Sequence, residues 1–280
     1  AINFHTLGDP EFVAHVSGDN PWEFLHKVRF GAPGWPMPSG ITNRWTEQNF
    51  ADVLAYAQTL PPEAALSGGG QLYDNWWEVL GADAPTEDNP LWASQSTNER
   101  NGADTWRCKE CHGWDYMGAD GVYGSGSHAT GFPGILDTAS MSSADLLAWL
   151  SGGQNPDHDF SDVMDEVALN ALVTFIQKEM TDITPFINAD ATVNGDPAHG
   201  KDLFTDTCVN CHGIDGKKIN FHSADDPEYF GTVASDNPWE FFNKASFGQP
   251  GVPMPAGAAL GWSMQDRADL LAYAQTLPTE

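Results

Sequence analysis

The sequence is poor in basic residues and in cysteine, and it has no long apolar run. Its 280 residues include 12 Lys and Arg against 39 Asp and Glu, which gives a formal net charge of −27. Proteins that bind nucleic acid or anionic lipid need clustered positive charge, so both are excluded as favoured partners. No apolar run approaches the ~18 residues of a membrane helix, and no basic segment followed by an apolar one opens the sequence. We therefore expect a soluble chain from which any export signal has been removed.

All four cysteines belong to two copies of one short pattern, C-x-x-C-H. This pattern is the attachment sequence of c-type haem: two thiols on one helical turn form thioethers with one porphyrin, and the adjacent His ligates the iron. Because the pattern occurs twice and no cysteine is left over, the sequence predicts two covalently bound haem c groups. The predicted residues are the thioether cysteines Cys108, Cys111, Cys208 and Cys211 and the axial ligands His112 and His212.

Other uses of paired cysteines fit the spacing less well. Ligand pairs of a zinc ribbon are separated by roughly 15–20 residues, whereas 96 residues separate Cys111 from Cys208. A thioredoxin-like pair would need a preceding strand, which the pattern does not predict. A disulfide framework is improbable in a chain of this length with four cysteines.

The two ends of the sequence repeat each other. Residues 1–63 align without a gap on residues 218–280, at a constant offset of 217, and 36 of the 63 positions are identical. The C-terminal copy follows a C-x-x-C-H motif, whereas the projected His of the N-terminal copy would fall before residue 1. The first unit is therefore expected to be a domain cut behind its haem-binding helix, either in a shortened chain or as a unit that naturally lacks haem.

Helical periodicity dominates the sequence, and no convincing strand alternation is present, so the predicted fold class is all-α. We expect three units: 1–63 as a partial repeat without C-x-x-C-H, 64–190 as a haem domain with a polar insert at about 81–104, and 191–280 as a second haem domain. Helices are predicted at about 20–30, 47–59, 70–80, 142–151, 165–179, 200–207, 239–247 and 263–276.

Residues Gly200 to Phe204, followed by the second motif, resemble the opening helix and haem motif of class I cytochromes c. Pro253-Met254-Pro255 and the closing helix with Tyr273 resemble that family's methionine loop and last helix. In the middle unit, Gly131-Phe132-Pro133-Gly134 resembles the loop whose carbonyl holds the proximal His. The resemblance implies tandem class I cytochrome c-like domains, the first incomplete, electron transfer as the activity, and haem attachment after export.

The sixth iron ligand of the last unit is expected to be Met254. It lies in a Pro-flanked loop 19 residues before Tyr273. Met264 is the alternative, but it stands at the start of the closing helix, too close to the helix body to swing over a haem. Met37 is the repeat equivalent of Met254 and would serve the same role if the first unit held haem.

The middle unit has two main candidates for its sixth ligand. If Phe175 takes the place of Tyr273, His158 lies 17 residues before it and Met164 lies 11 before it. Loop spacing therefore favours His158 over Met164, and His128 is a more remote candidate. Ligation by His158 predicts that this haem has the lower reduction potential, because a thioether ligand raises the potential.

Three functions remain open on the sequence. The favoured one is an exported, periplasmic or otherwise extracytoplasmic dihaem cytochrome that transfers electrons between redox proteins with basic docking surfaces. A haem enzyme with one open or labile haem, such as a peroxidase or a thiosulfate dehydrogenase, is the alternative. A cytochrome subunit of a larger redox complex is the third.

Overall fold

The structure is a computed structural model that describes residues 13–31, 37, 39–59 and 68–280. The chain divides into two compact units, Ala1–Ala65 and Leu66–Glu280. The predicted boundary at residues 63 and 64 lies outside the described residues. The predicted boundary at residue 190 lies within the second unit and stays a prediction. That unit holds two hydrophobic cores.

The fold is all-α, as the sequence predicts, and no strand occurs among the described residues; three isolated bridges stand in loops. Short 3-10 turns join the helices, and π-helical turns extend α7 through Phe175–Glu179 and α8 through Phe204–Cys208. The helices are α1 Val13–Asp19, α2 Pro21–Phe30, α3 Glu47–Thr59, α4 Gly68–Leu80, α5 Cys108–His112, α6 Ser143–Leu150, α7 Glu166–Thr174, α8 Pro197–Leu203, α9 Val209–His212, α10 Phe230–Asp236, α11 Pro238–Phe247 and α12 Met264–Ala274.

In the first unit, helices α1, α2 and α3 surround a small apolar core. Asn20 caps α2: its side chain accepts a hydrogen bond from the Glu23 amide, and Pro21 occupies the first helical position, where no N–H is needed. Helix α3 turns Phe50 and Ala57 inward, one side of its apolar stripe. The buried core residues are Val16, Phe24, Val28, Phe50 and Ala57.

The sequence repeat is also a structural repeat. Helices α10, α11 and α12 begin 217 residues after α1, α2 and α3. The caps agree closely, with φ and ψ of −137° and 68° at Asn20 and of −140° and 70° at Asn237. The turns that follow α2 and α11 agree as well, with φ of 81° at Gly31 and 82° at Gly248, a region that favours glycine. Sequence periodicity did not predict α1 and α10, which are only two turns long.

The middle part of the second unit packs α4 and α6 against α7 around an aromatic core. Tyr73 and Phe175 are fully buried there, with ring centres 5.5 Å apart. The Tyr73 hydroxyl donates to the Gly113 carbonyl directly after the first haem motif, which fixes that motif on α4. The segment predicted as a polar loop at about 81–104 contains two 3-10 turns, Pro90–Ser94 and Gly102–Trp106.

The last core depends on a close crossing of α8 and α12. A side chain at Gly200 would overlap the backbone carbonyl of Asp269, so only glycine allows this approach. Asp269 also accepts hydrogen bonds from the Asp196 amide and from His199 Nδ1, at 2.7 and 2.8 Å. The crossing places the second haem motif, which follows α8 in the chain, beside this core.

The middle and last cores are joined by polar and aromatic contacts. Asp74 of α4 forms ion pairs with Arg107, which precedes the first motif, and with Lys244 of α11. The rings of Phe175 and Phe247 meet with centres 5.3 Å apart. Among the described residues, no helix combines the length and apolar character that crossing a membrane requires.

Candidate haem-binding sites

Each C-x-x-C-H motif lies on a helical segment, and a glycine follows directly after it. Helix α5 ends at Gly113, with φ of 76°, and α9 ends at Gly213, with φ of 81°. Both cysteines of each motif therefore lie on about one helical turn, the arrangement that the thioether interpretation requires. Burial raises the pKa of the Cys108 and Cys208 thiols to about 12. Protonated thiols are poor nucleophiles, so a redox-active dithiol is disfavoured.

The first motif presents its histidine in the orientation of an iron ligand. His112 Nδ1 lies 2.8 Å from the carbonyl oxygen of Pro133. Because a carbonyl can only accept, Nδ1 carries the proton and Nε2 keeps its lone pair, the arrangement that a second-shell carbonyl imposes on metal-binding histidines. Burial lowers the pKa of His112 to about 4, so the ring is neutral. The Gly131–Gly134 loop therefore holds His112 through a backbone carbonyl, as the resemblance implies, and the role of His112 as an iron ligand stays a prediction.

His158 faces His112, and its Nδ1 is likewise held by a backbone carbonyl. Its Nδ1 lies 3.0 Å from the carbonyl oxygen of Trp149, which leaves Nε2 free to accept or coordinate. The two imidazole ring centres are 6.2 Å apart. Metal–imidazole bonds are about 2 Å long, so two imidazoles on opposite sides of one metal hold their centres about 6 Å apart. The two rings therefore have the separation that a shared iron needs.

The two histidines line one crevice together with both cysteines of the first motif. The remaining walls include three aromatic side chains, Trp92, Trp106 and Phe160. Trp92 and Trp106 are held by their indole N–H groups, which donate to the carbonyls of Arg100 and Glu87. The insert at 81–104 thus forms a wall of the site, which sequence analysis missed because the segment is polar and has no helical period.

The other candidates in the middle unit lie elsewhere. Met164 is buried in the aromatic core and is not among the residues that line the crevice. His128 stacks on Tyr123, with ring centres 4.6 Å apart, and its Nδ1 is 3.2 Å from Arg100. Of the three, the structure brings only His158 to His112.

A buried carboxylate stands between the two cysteines of the first motif. Glu110 is fully buried and forms ion pairs with Lys109 and Arg100. Burial alone would raise its pKa, but His128 and the two cations lower the pKa of Glu110 to about 2. The motif helix therefore carries a permanent negative charge that its neighbours compensate.

The second motif differs from the first in the groups that surround its histidine. His212 is buried between the rings of Phe221 and Phe230, with centres 5.9 and 4.8 Å from its own. Its Nδ1 has no hydrogen-bond partner, and burial lowers the pKa of the ring. The apolar surroundings fit a haem contact, and among the described residues no carbonyl holds Nδ1 of His212 as Pro133 holds that of His112.

The two methionines considered for the last site have different surroundings. Met254 is half-buried in the loop after α11, and its backbone amide donates to the carbonyl of Val252. The sulfur of Met264, at the start of α12, already accepts a hydrogen bond from the guanidinium of Arg267 at 3.2 Å. Met254 as the sixth ligand of the last unit therefore stays a prediction. In the first unit, Met37 is about one-third exposed, while its flanking prolines, Pro36 and Pro38, lie outside the described residues.

The last part of the chain has a recognisable family relationship. Residues 197–278 match the family model of cytochrome c. The match includes α8, the second motif, Met254 and α12. A domain similar to cytochrome c indicates covalently bound haem c and electron transfer. No curated protein matches the chain.

Proposed function

We propose that the chain is an extracytoplasmic dihaem cytochrome that relays electrons between redox proteins. The observation that carries this proposal is the pair His112 and His158 in the first crevice, which supports a second haem site outside the matched segment. An iron held by both His112 and His158 would have no free position for a substrate, so a carrier is favoured over an enzyme.

Haem iron supplies a reversible one-electron couple when it is bound. The chain's own residues set the conditions for that couple. Pro133 and Trp149 hold the Nδ1 protons of the two histidines, so each Nε2 is presented in its neutral form. Trp92 and Trp106 line the crevice, and apolar surroundings of this kind would reduce the cost of reorganisation around a changing charge.

The two sites are expected to differ in potential. The first combines two imidazoles, and the second combines His212 with Met254. Thioether ligation raises the reduction potential, so the second haem is the higher-potential site and the natural acceptor within the chain. Since the chain carries a net charge of −27, we propose that its external partners present basic docking surfaces and that salt weakens their binding.

The test is replacement of His158 in protein matured with haem. Intact mass should show two added haems, and near-infrared and electron paramagnetic spectra should show one bis-histidine and one His–Met low-spin iron. In His158→Ala, the bis-histidine signature should disappear, and the first haem should become reactive with CO and cyanide.

Met164→Leu is the matched control, because it keeps the core volume and removes only a sulfur. It should leave both spectra unchanged. A wild-type protein that already binds CO at one haem would instead favour the enzyme alternative, and a bis-histidine signature that survives in His158→Ala would contradict the ligand assignment.

A further inference from the structure

The segment around His158 carries many carboxylates and neither Lys nor Arg. Residues 110–177 contain no basic residue of either type. Within the part of the chain that the structure describes, none of the six carboxylates from α6 to the first turn of α7 forms an ion pair. Five of the six are exposed, and the set consists of Asp145, Asp157, Asp159, Asp162, Asp165 and Glu166.

An exposed tryptophan belongs to the same part of the surface. Of the tryptophans in residues 68–280, Trp149 on α6 is the one that is exposed, at 44%. Its backbone carbonyl accepts the hydrogen bond from His158 Nδ1 at 3.0 Å, so its main chain touches the candidate ligand of the first iron. The loop after α6 folds back on the end of the helix, where Ser151 forms a bridge with Asp159. The exposed indole and the carboxylates of this loop therefore lie close together.

The nearest cations do not offset this negative charge. The three that precede or belong to the first motif all pair with buried carboxylates, and they are Arg100, Arg107 and Lys109. Lys178, on the π-helical turn after α7, is a single charge against six. The first site therefore has an exposed side on which negative charge is in excess.

The second motif has different surroundings. Lys217 and Lys218 follow His212 closely in the chain, and Lys218 Nζ donates to the carbonyl of Asn210 within the motif itself. Ile214 beside them is 85% exposed. Because positive charge adjoins the second motif, a basic partner is favoured at the first site and not at the second.

We propose that the surface formed by Trp149 and the carboxylates of residues 145–166, here the acidic face, docks a redox protein whose own cofactor edge is apolar and ringed by Lys or Arg. The proposal rests on the proposed function and deepens it, because it assigns the basic partner to the first haem. Carboxylates without cationic partners attract such a protein at long range. An exposed Trp supplies apolar contact, as tryptophans do at many protein interfaces.

The bonding at Trp149 connects this surface to the site. From the docked partner, a route to the iron runs through the Trp149 carbonyl and the ring of His158. One electron passes between the partner's cofactor and the first iron, so one centre is oxidised as the other is reduced. No bond of the chain forms or breaks.

The probe is an oxidised blue copper protein with a positively charged surface, whose visible colour is lost on reduction. Mixed with the reduced holoprotein, it should take up one electron at a rate that falls as salt is added, because screening weakens the attraction. A redox-inactive form with zinc in place of copper should shift the amide resonances of residues 143–167 in the holoprotein. These two measurements give the rate and the place of docking.

Two pairs of substitutions separate the acidic face from the net charge. Asp157→Asn with Asp162→Asn should slow the reaction about fivefold at low salt, a part of the roughly 10–10³ that electrostatic steering supplies. Asp202→Asn with Asp225→Asn removes two exposed charges from the last part of the chain and should leave the rate nearly unchanged. The salt dependence should weaken in the first pair only, which a changed driving force would not produce.

The apolar part of the contact has its own test. Trp149→Ser should slow the reaction at every salt concentration, because an apolar contact is not screened, and Trp149→Phe should restore most of the rate. Leu260→Ser is the control, since Leu260 is an apolar side chain 51% exposed outside the acidic face. It should leave the rate unchanged.

Equal slowing by the two Asn pairs, amide shifts centred on Ile214, or binding of the copper protein without electron transfer would each overturn the proposal. Intact mass and the near-infrared spectrum test the dihaem function separately. Two intact haems with no binding at the acidic face would contradict the docking surface alone. Binding at that face by a chain without the first haem would contradict the relay and support the docking surface.

Discussion

The segments 13–59 and 230–276 show how far one sequence pattern fixes structure and where its surroundings take over. Their helices begin at the same relative positions, and their caps and turns have the same dihedral angles. Their packing differs. Lys27 forms an exposed i,i+4 pair with Glu23, whereas its counterpart Lys244 reaches the buried Asp74. Residues close in the chain determine the backbone conformation. The elements packed against each copy determine how much a given side chain contributes to stability.

The contact between α8 and α12 is the largest difference between the two copies. Gly200→Leu should destabilise the last core by about 3 kcal/mol or more, because the added side chain meets backbone that cannot move aside. The variant should leave α12 exposed as α3 is. Denaturant unfolding gives the free energy, and amide hydrogen exchange of α12 localises the effect.

Gly68→Leu is the control for this prediction. Gly68 stands at the start of α4, and a Cβ there would meet nothing within 4 Å. Its unfolding free energy should stay within about 1 kcal/mol of the wild type. Similar losses in the two variants would show that the close approach of α8 and α12 does not limit stability.

The two equivalent lysines sharpen the comparison. Lys244→Met should cost about 2 kcal/mol, because Asp74, 1% exposed, loses one of its two cationic partners and keeps only Arg107. Lys27→Met removes an exposed i,i+4 pair and should cost less than about 0.5 kcal/mol. Denaturant unfolding of the two variants gives both values.

In the Asp74→Asn background, Lys244→Met should cost less than it does in the wild type, because no buried carboxylate is left for the lysine to compensate. Equal losses of unfolding free energy in Lys27→Met and Lys244→Met would contradict the claim that burial makes the Lys244–Asp74 pair the more stabilising one.

Sequence reasoning succeeded where the determining interactions are local. The helices predicted at about 20–30 and 47–59 and the helical turn of each motif follow from residues close in the chain, and the contact of the Gly131–Gly134 loop with His112 follows from the family resemblance. Two features could not be predicted this way. The wall that Trp92 of the insert forms with Trp106 and the link from Asp74 to Lys244 depend on contacts between residues far apart in sequence, which periodicity does not report. The exposure of α3 depends in the same way on which helix packs against it.

The smallest expected difference between the copies is a pH dependence that only the last one has. His199 Nδ1 lies 2.8 Å from Asp269 and 3.7 Å from Asp266, and the hydrogen bond to Asp269 raises the pKa of His199 above its ordinary value of about 6.5. The unfolded chain binds this proton less tightly. The added stability is therefore fully present below about pH 6.5 and is lost as pH rises through the raised pKa. His199→Gln should reduce the pH dependence of the stability of the last core over that window. Asp269→Asn, which keeps an oxygen for the Asp196 amide, should have the same effect. The double variant should show no further change. The test is the unfolding midpoint measured from pH 5 to 8, roughly 1.5 units on either side of the ordinary pKa of histidine. If the midpoint still changes with pH in both single variants, the pH dependence belongs to other groups.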